Sequence, residues 1–130
     1  MAIKEPPELT NKEAWKLYEK YLEGWNSTSE QIRKEVAAEV TSNDFRYRTR
    51  NHDSGGRPEL VADMAAFQKR VPGGHFEIGD VSSHHNVALL TWVMIQADGS
   101  EIARGGDQIT VDRDGKISRI ITFPPPTKTP

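Results

Sequence analysis

The sequence has no cysteine. That excludes disulfides, a thiolate nucleophile and thiolate metal sites, and it suits a reducing compartment. No apolar run approaches the ~18–20 residues needed to span a bilayer. The opening MAIKEPPEL lacks the hydrophobic core of a signal peptide. Charge excess is missing too: 17 Lys and Arg stand against 19 Asp and Glu, a formal net charge of −2. Such a balance gives no footing for nucleic acid or an anionic membrane. There is no phosphate-binding loop, no nucleophile elbow and no HExxH helix. His84 and His85 fall at an expected turn without a convincing third ligand, so no metal and no cofactor is expected. These absences leave a chain expected to be cytoplasmic, off the membrane, and dependent on ordinary acid and base side chains.

What is present reads as one domain, long enough at 130 residues to bury its own core. Residues 1–9, with Pro6-Pro7, read as a flexible arm, residues 10–123 as the domain, and residues 124–130 (PPPTKTP) as a flexible tail. Thr10 and Glu13 match a capping box, and Ala14, Trp15, Leu17, Tyr18, Tyr21, Leu22 and Trp25 then recur at helical steps. Thr28 with Gln31 suggests a second cap, followed by Ile32, Val36 and Val40 on a short helix ending near Thr41. Phe45, Tyr47 and Thr49 alternate with Arg46, Arg48 and Arg50, as in a strand with one wet face. A polar loop carries His52 and Asp53. Pro58 opens a third helix, with Leu60, Val61, Met64, Ala65, Phe67 and Val71 at helical spacing, and Pro72-Gly73-Gly74 stops it.

From His75 onward the pattern is strands: 76–83, 87–97 and a final hairpin over 102–123. The strand 87–97 is apolar on both parities, so both of its faces should be covered, one of them by a second subunit. In the hairpin, Ile109 and Val111 alternate with polar neighbours and Asp114-Gly115 supplies the turn. Gly105-Gly106 would let the strand bend. Asp107 shares the parity of Ile109 and Val111, so it should point into the core, where a carboxyl must be paired, hydrogen-bonded or protonated. Helices collected on one side of a bent antiparallel sheet give an α+β fold.

The element order, Trp25-Asn26 closing the first helix, Gly56 before the third, and the ending GGDQITVDRDGKISRIITF resemble the NTF2-like superfamily in its SnoaL-like branch. The resemblance spans residues 10–123. It implies a cone-shaped half-barrel with three N-terminal helices against a curved antiparallel sheet, an interior cavity, and a homodimer through the sheet. Within the superfamily, Asp107 stands eight residues before Gly115 and Tyr21 five before Asn26, which is similar to the ketosteroid isomerase family. That family uses a strand Asp kept protonated, a helix-one Tyr and a separate Asp base. The base position falls on Thr49, which cannot abstract a carbon-bound proton at neutral pH. The SnoaL-like cyclases likewise use an acid/base Asp on the strand that carries Asp107.

The expected catalytic residues are therefore Asp107, as acid or base, and Tyr21, as an oxyanion donor. Tyr47, Thr49, Trp92, Trp25 and His52 are the expected substrate-binding residues, His52 folding over the pocket mouth with Asp53. Each has a plainer reading as core packing, an internal hydrogen bond or a solvated loop. Tyr18 and Trp15 read as core. The expected ligand is a small organic molecule, such as a carbonyl or polyketide-like compound. Three functions follow: a cofactor-free isomerase, cyclase or dehydratase; a small-ligand binder; or an interaction module with an idle pocket. The missing base at Thr49 favours the last two, and the carboxyl-bearing interior favours the first.

Overall fold

A computed structural model describes residues 5–128. The capping box at Thr10 forms in both directions with Glu13 and starts α1 (Asn11–Trp25). The second helix, α2 (Glu30–Val40), is capped by Ser29, whose hydroxyl accepts from the Ile32 N–H; the expected Thr28 cap lies one residue too early. Its buried face is Val36, Ala37 and Val40, while Ile32 is exposed. Strand β1 (Thr41–Arg48) follows without a loop, then α3 (Arg57–Arg70) with Pro58 in its first turn. The remaining strands are β2 (His75–His84), β3 (Val87–Ile95), β4 (Glu101–Val111) and β5 (Ile117–Phe123).

The five strands form one curved, unclosed sheet in the order β1-β5-β4-β3-β2. Its β2–β5 part is antiparallel as expected, but β1 joins the edge parallel to β5. A parallel neighbour needs a long crossover, and α3 with β2–β4 provides it. The ladder irregularities lie between Thr41 and Arg46, Ile78 and Val81, Met94 and Ile95, and Thr110 and Val111, not at Gly105-Gly106. Bulges of this kind bend and twist a sheet.

The core lies between the helices and the concave face. Tyr18, Leu60 and Met64 share one cluster with Phe45, Leu90, Ile109 and Ile120, and Phe67 packs on Trp25 and Phe76, the buried ones all fully or almost fully so. Each such side chain contributes roughly 1.5–3 kcal/mol on leaving water.

Both ends of α1 are fastened to β2. Before its start, the Leu9 N–H donates to the His85 carbonyl (2.6 Å) and the Ser83 hydroxyl donates to the Leu9 carbonyl (2.9 Å). Leu9 is buried, so the described part of the expected arm ends in the core. After its end, the Asn26 side chain accepts from the Phe76 N–H (2.7 Å) and donates to the Phe76 carbonyl (3.1 Å). Among the described residues no helix is long and apolar enough to cross a membrane.

Candidate functional site

A cavity of about 450 Å3 opens between α1, α3 and the concave sheet face. Its position follows from the half-barrel: the sheet curves away from the helices at one end, and aromatic side chains fill only part of the gap. Trp25, Phe76 and Trp92 make an edge-to-face wall, with centroids 5.5 Å and 5.3 Å apart. Trp92 lies flat against β4 because its partner across the ladder is Gly105. A Cβ there would sit 2.3 Å from the indole and 2.8 Å from the Phe123 carbonyl. Pro124 and Pro125, assigned from sequence to a free tail, line the cavity.

The deep end is built around Asp107, which pairs with Leu90 and Thr122 in the ladders and faces the core as its parity requires. Tyr18 donates to one carboxyl oxygen (2.7 Å) and Thr122 to the other (2.7 Å). The Trp92 indole N–H is a third donor. Burial raises the Asp107 carboxyl above the ordinary carboxylate range, against the pull of these three hydrogen bonds. Tyr18 is fully buried, and burial followed by the charge of Asp107 lifts its hydroxyl well above the usual phenol range. Tyr21 also lines the cavity and is lifted in the same way, first by burial and then by Asp107, with Trp25 as its hydrogen-bond partner. The phenol bonded to Asp107 is thus Tyr18, which sequence reasoning placed in the core. Helix one presents both rings to the sheet, their centroids 5.4 Å apart, and spacing alone could not tell which hydroxyl reaches the carboxyl.

Nearer the mouth lies a second group that the sequence did not reveal. Asp63 of α3 lines the cavity and accepts from the Tyr47 hydroxyl (2.6 Å). The His52 Nε2 lies 3.1 Å and 3.3 Å from its two oxygens. Burial and the Asp63 carboxyl raise the Tyr47 hydroxyl far above the phenol range. The loop between β1 and α3 is folded for this arrangement. The Thr49 hydroxyl accepts from the N–H groups of Asn51 and His52, and the Thr49 N–H donates to the His52 carbonyl. Tyr47 and Gly55 exchange two backbone hydrogen bonds, and a Cβ at Gly55 would lie 2.5 Å from the Tyr47 ring. Thr49 lines the cavity, but its hydroxyl is spent on shaping this turn.

His52 does not lie over the mouth with Asp53. Its ring turns to Asp63 and lies tilted against Tyr47, with centroids 5.4 Å apart, while Asp53 pairs with Arg48 (2.8 Å) on the outer side. The Thr49-capped turn dictates that direction. A carboxylate on an otherwise ordinary helix gave no signal in the sequence; only the parity of Tyr47 hinted at a partner. Arg50, Arg70 and Arg104 edge the cavity from exposed positions. No group of three or more metal-ligating side chains occurs among the described residues.

Residues 18–120 match the family described as the SnoaL-like domain. Among solved structures, the chain superposes on a proposed isomerase of the SnoaL-like family from Agrobacterium tumefaciens. The TM-score is 0.78 at 23% identity, covering 85% of this chain and 96% of that one. A proposed SnoaL-like polyketide cyclase from Jannaschia sp. CCS1 gives a TM-score of 0.68 at 15% identity, covering 95% and 90%. A de novo designed NTF2 fold protein gives 0.66 at 23% identity, covering 88% and 86%. No curated protein matches the sequence. At these identities the superpositions establish the fold, and a designed protein shares it, so chemistry must be argued from side chains.

Proposed function

For a chain that belongs to the SnoaL-like domain family, we propose cofactor-free acid/base chemistry on a small carbonyl or polyketide-like compound, of isomerase, cyclase or dehydratase type. The observation that carries this reading is Asp107: a buried carboxyl at the floor of an aromatic-walled cavity, shifted toward its protonated form. A protonated carboxyl in an apolar site donates a strong hydrogen bond to a developing oxyanion. Tyr21, lining the same cavity with its proton firmly held, is the second donor. Trp25 and Trp92 supply flat apolar walls for a ring-shaped substrate, and the proposed isomerase and cyclase among the structural neighbours are consistent with such a ligand.

The test is a panel of β,γ-unsaturated cyclic ketones and thioester-linked polyketide mimics, followed by ultraviolet absorbance and mass spectrometry. Turnover is expected with wild type. Asp107→Asn should fold and bind yet lose turnover, because an amide cannot pass a proton. Binding without turnover across the panel would favour the non-catalytic binder. One observation already leans that way: both Asp107 oxygens have protein partners.

The same proposal includes a second copy of the chain on the outer sheet face. Leu89 and Phe123 are about half exposed there (50% and 51%), with Ile102 at 42%. Light scattering at micromolar concentration should give a dimer mass, and a monomer would end this part of the reading.

A further inference from the structure

We propose that Asp63 is the general base of this site, with Tyr47 and His52 as the residues that position it. The inference rests on the acid/base reading above and supplies what Thr49 cannot.

Three observations converge. Asp63 lines the same cavity as Asp107 but enters from α3 rather than from the sheet. Its carboxyl is held by two side chains from outside its own helix, Tyr47 of β1 and His52 of the following loop. Its side chain keeps a third of its surface exposed, so a proton taken up there can be returned to solvent or to substrate. Tyr21 feels the charge of both Asp107 and Asp63, so it lies within electrostatic reach of both ends of the cavity. The other titratable group felt at this end is Glu59, which acts on Tyr47.

The step balances without a co-reactant. The Asp63 carboxylate takes a proton from the carbon beside a carbonyl. The C–H electron pair becomes a C=C bond and the carbonyl π pair moves onto oxygen, which accepts a hydrogen bond from Asp107 or Tyr21. In a β,γ-unsaturated ketone, Asp63 then returns the proton to the γ carbon, using the β,γ π pair, while the new C=C pair shifts to α,β and the oxygen pair re-forms the carbonyl, leaving the conjugated isomer. An oxygen–carboxylate distance fixed by two donors favours such a transfer, because the base is oriented before substrate arrives.

The test uses 5-nitrobenzisoxazole, a flat molecule small enough for the cavity. A carboxylate removes its ring C–H while the N–O bond breaks, releasing a coloured cyanonitrophenolate. Quenching of tryptophan fluorescence, through Trp25 and Trp92, reports binding independently of turnover. Wild type should accelerate the reaction over acetate at equal carboxylate concentration. Asp63→Asn, with an unchanged thermal melt, should lose roughly 100-fold or fall to background. Tyr47→Phe should bind the probe as wild type does but lower kcat roughly 10-fold, since the carboxylate loses one of the two donors that aim it. A merely structural Tyr47 would leave kcat where it was. Full rate in Asp63→Asn, an unchanged kcat in Tyr47→Phe, or binding without acceleration by wild type would each overturn the assignment while leaving the pocket standing. Failure of the probe to bind would overturn the pocket reading itself, and the base assignment with it.

Discussion

The two ends of the cavity are made from the same parts in different surroundings. Each has a carboxyl accepting from a tyrosine hydroxyl, at 2.7 Å in the deep Asp107–Tyr18 pair and 2.6 Å in the Asp63–Tyr47 pair at the mouth. Asp107 is only 5% exposed, and its partners arrive from α1, β3 and β5. Asp63 stays in reach of water, and its partners arrive from one short loop and the strand before it. The same functional groups thus meet two environments: the deep one is closed to water and disfavours charge on Asp107, and the outer one stays open to solvent.

The sharpest way to test that contrast is to delete each carboxyl. Asp107→Ala leaves the Tyr18 and Thr122 hydroxyls and the Trp92 N–H without their acceptor in the core and should cost about 3 kcal/mol in urea unfolding. Asp63→Ala strands the Tyr47 hydroxyl and the His52 ring nitrogen, both with water close by, and should cost under about 1 kcal/mol. Equal costs would mean that the two ends are not energetically distinct.

Next in size is Gly105→Ala. The added methyl must displace Trp92 or the Phe123 backbone, and overpacking of this kind costs roughly 1–3 kcal/mol. Because Trp92 also donates to Asp107, the same variant should disturb the deep end and spare the mouth, visible as altered tryptophan fluorescence with unchanged His52 NMR chemical shifts.

A pH series sharpens the comparison further. Asp107 is raised in the folded protein, so between its ordinary value and its folded value the native state binds more protons than the unfolded chain. Its contribution is therefore greatest at acid pH and falls as pH rises through that window, by at most about 1.4 kcal/mol per pH unit. Unfolding of wild type and Asp107→Asn at several pH values should show this loss in wild type alone. A stability difference that is flat with pH would mean that folding leaves the proton affinity of Asp107 unchanged.

The smallest expected effect separates the phenols. Tyr18→Phe should cost about 1–2 kcal/mol by unmaking a buried hydrogen bond, while Tyr47→Phe should cost about 1 kcal/mol or less, since its acceptor is partly in water. Differential scanning calorimetry on the two variants, with wild type as reference, resolves differences of that order.

How much of this was legible in the sequence depended on periodicity. The inward aim of Asp107 was readable because strand parity has a period of two and Ile109 and Val111 marked the buried face. The three helices and the final hairpin were readable for the same reason, through apolar steps and the Thr10 and Asp114-Gly115 signals. The parallel β1–β5 pairing was not, because partners as far apart as Thr41 and Ile117 leave no local trace. Nor was Asp63 readable: a helical carboxylate looks solvated until Tyr47 and His52 are brought to it by a loop whose shape depends on one threonine hydroxyl and one glycine. Tyr18 lies in the core as read, but its bond to Asp107 was not legible, because a helix offers several rings to one sheet and apolar spacing does not say which hydroxyl reaches the carboxyl.

The fastening of α1 to β2 has a mechanical consequence. The helix is a beam of about 22 Å clamped at both ends to a single strand, by Leu9 at His85 and by Asn26 at Phe76. Tyr18, Tyr21 and Trp25 ride on that beam. Any load applied at either clamp, even at the exposed β2–β3 turn, is transmitted along a rigid rod to the phenols rather than absorbed locally. The β2–β3 hairpin, which does not itself line the cavity with its turn, is thereby coupled to the alignment of the hydroxyls at the cavity floor.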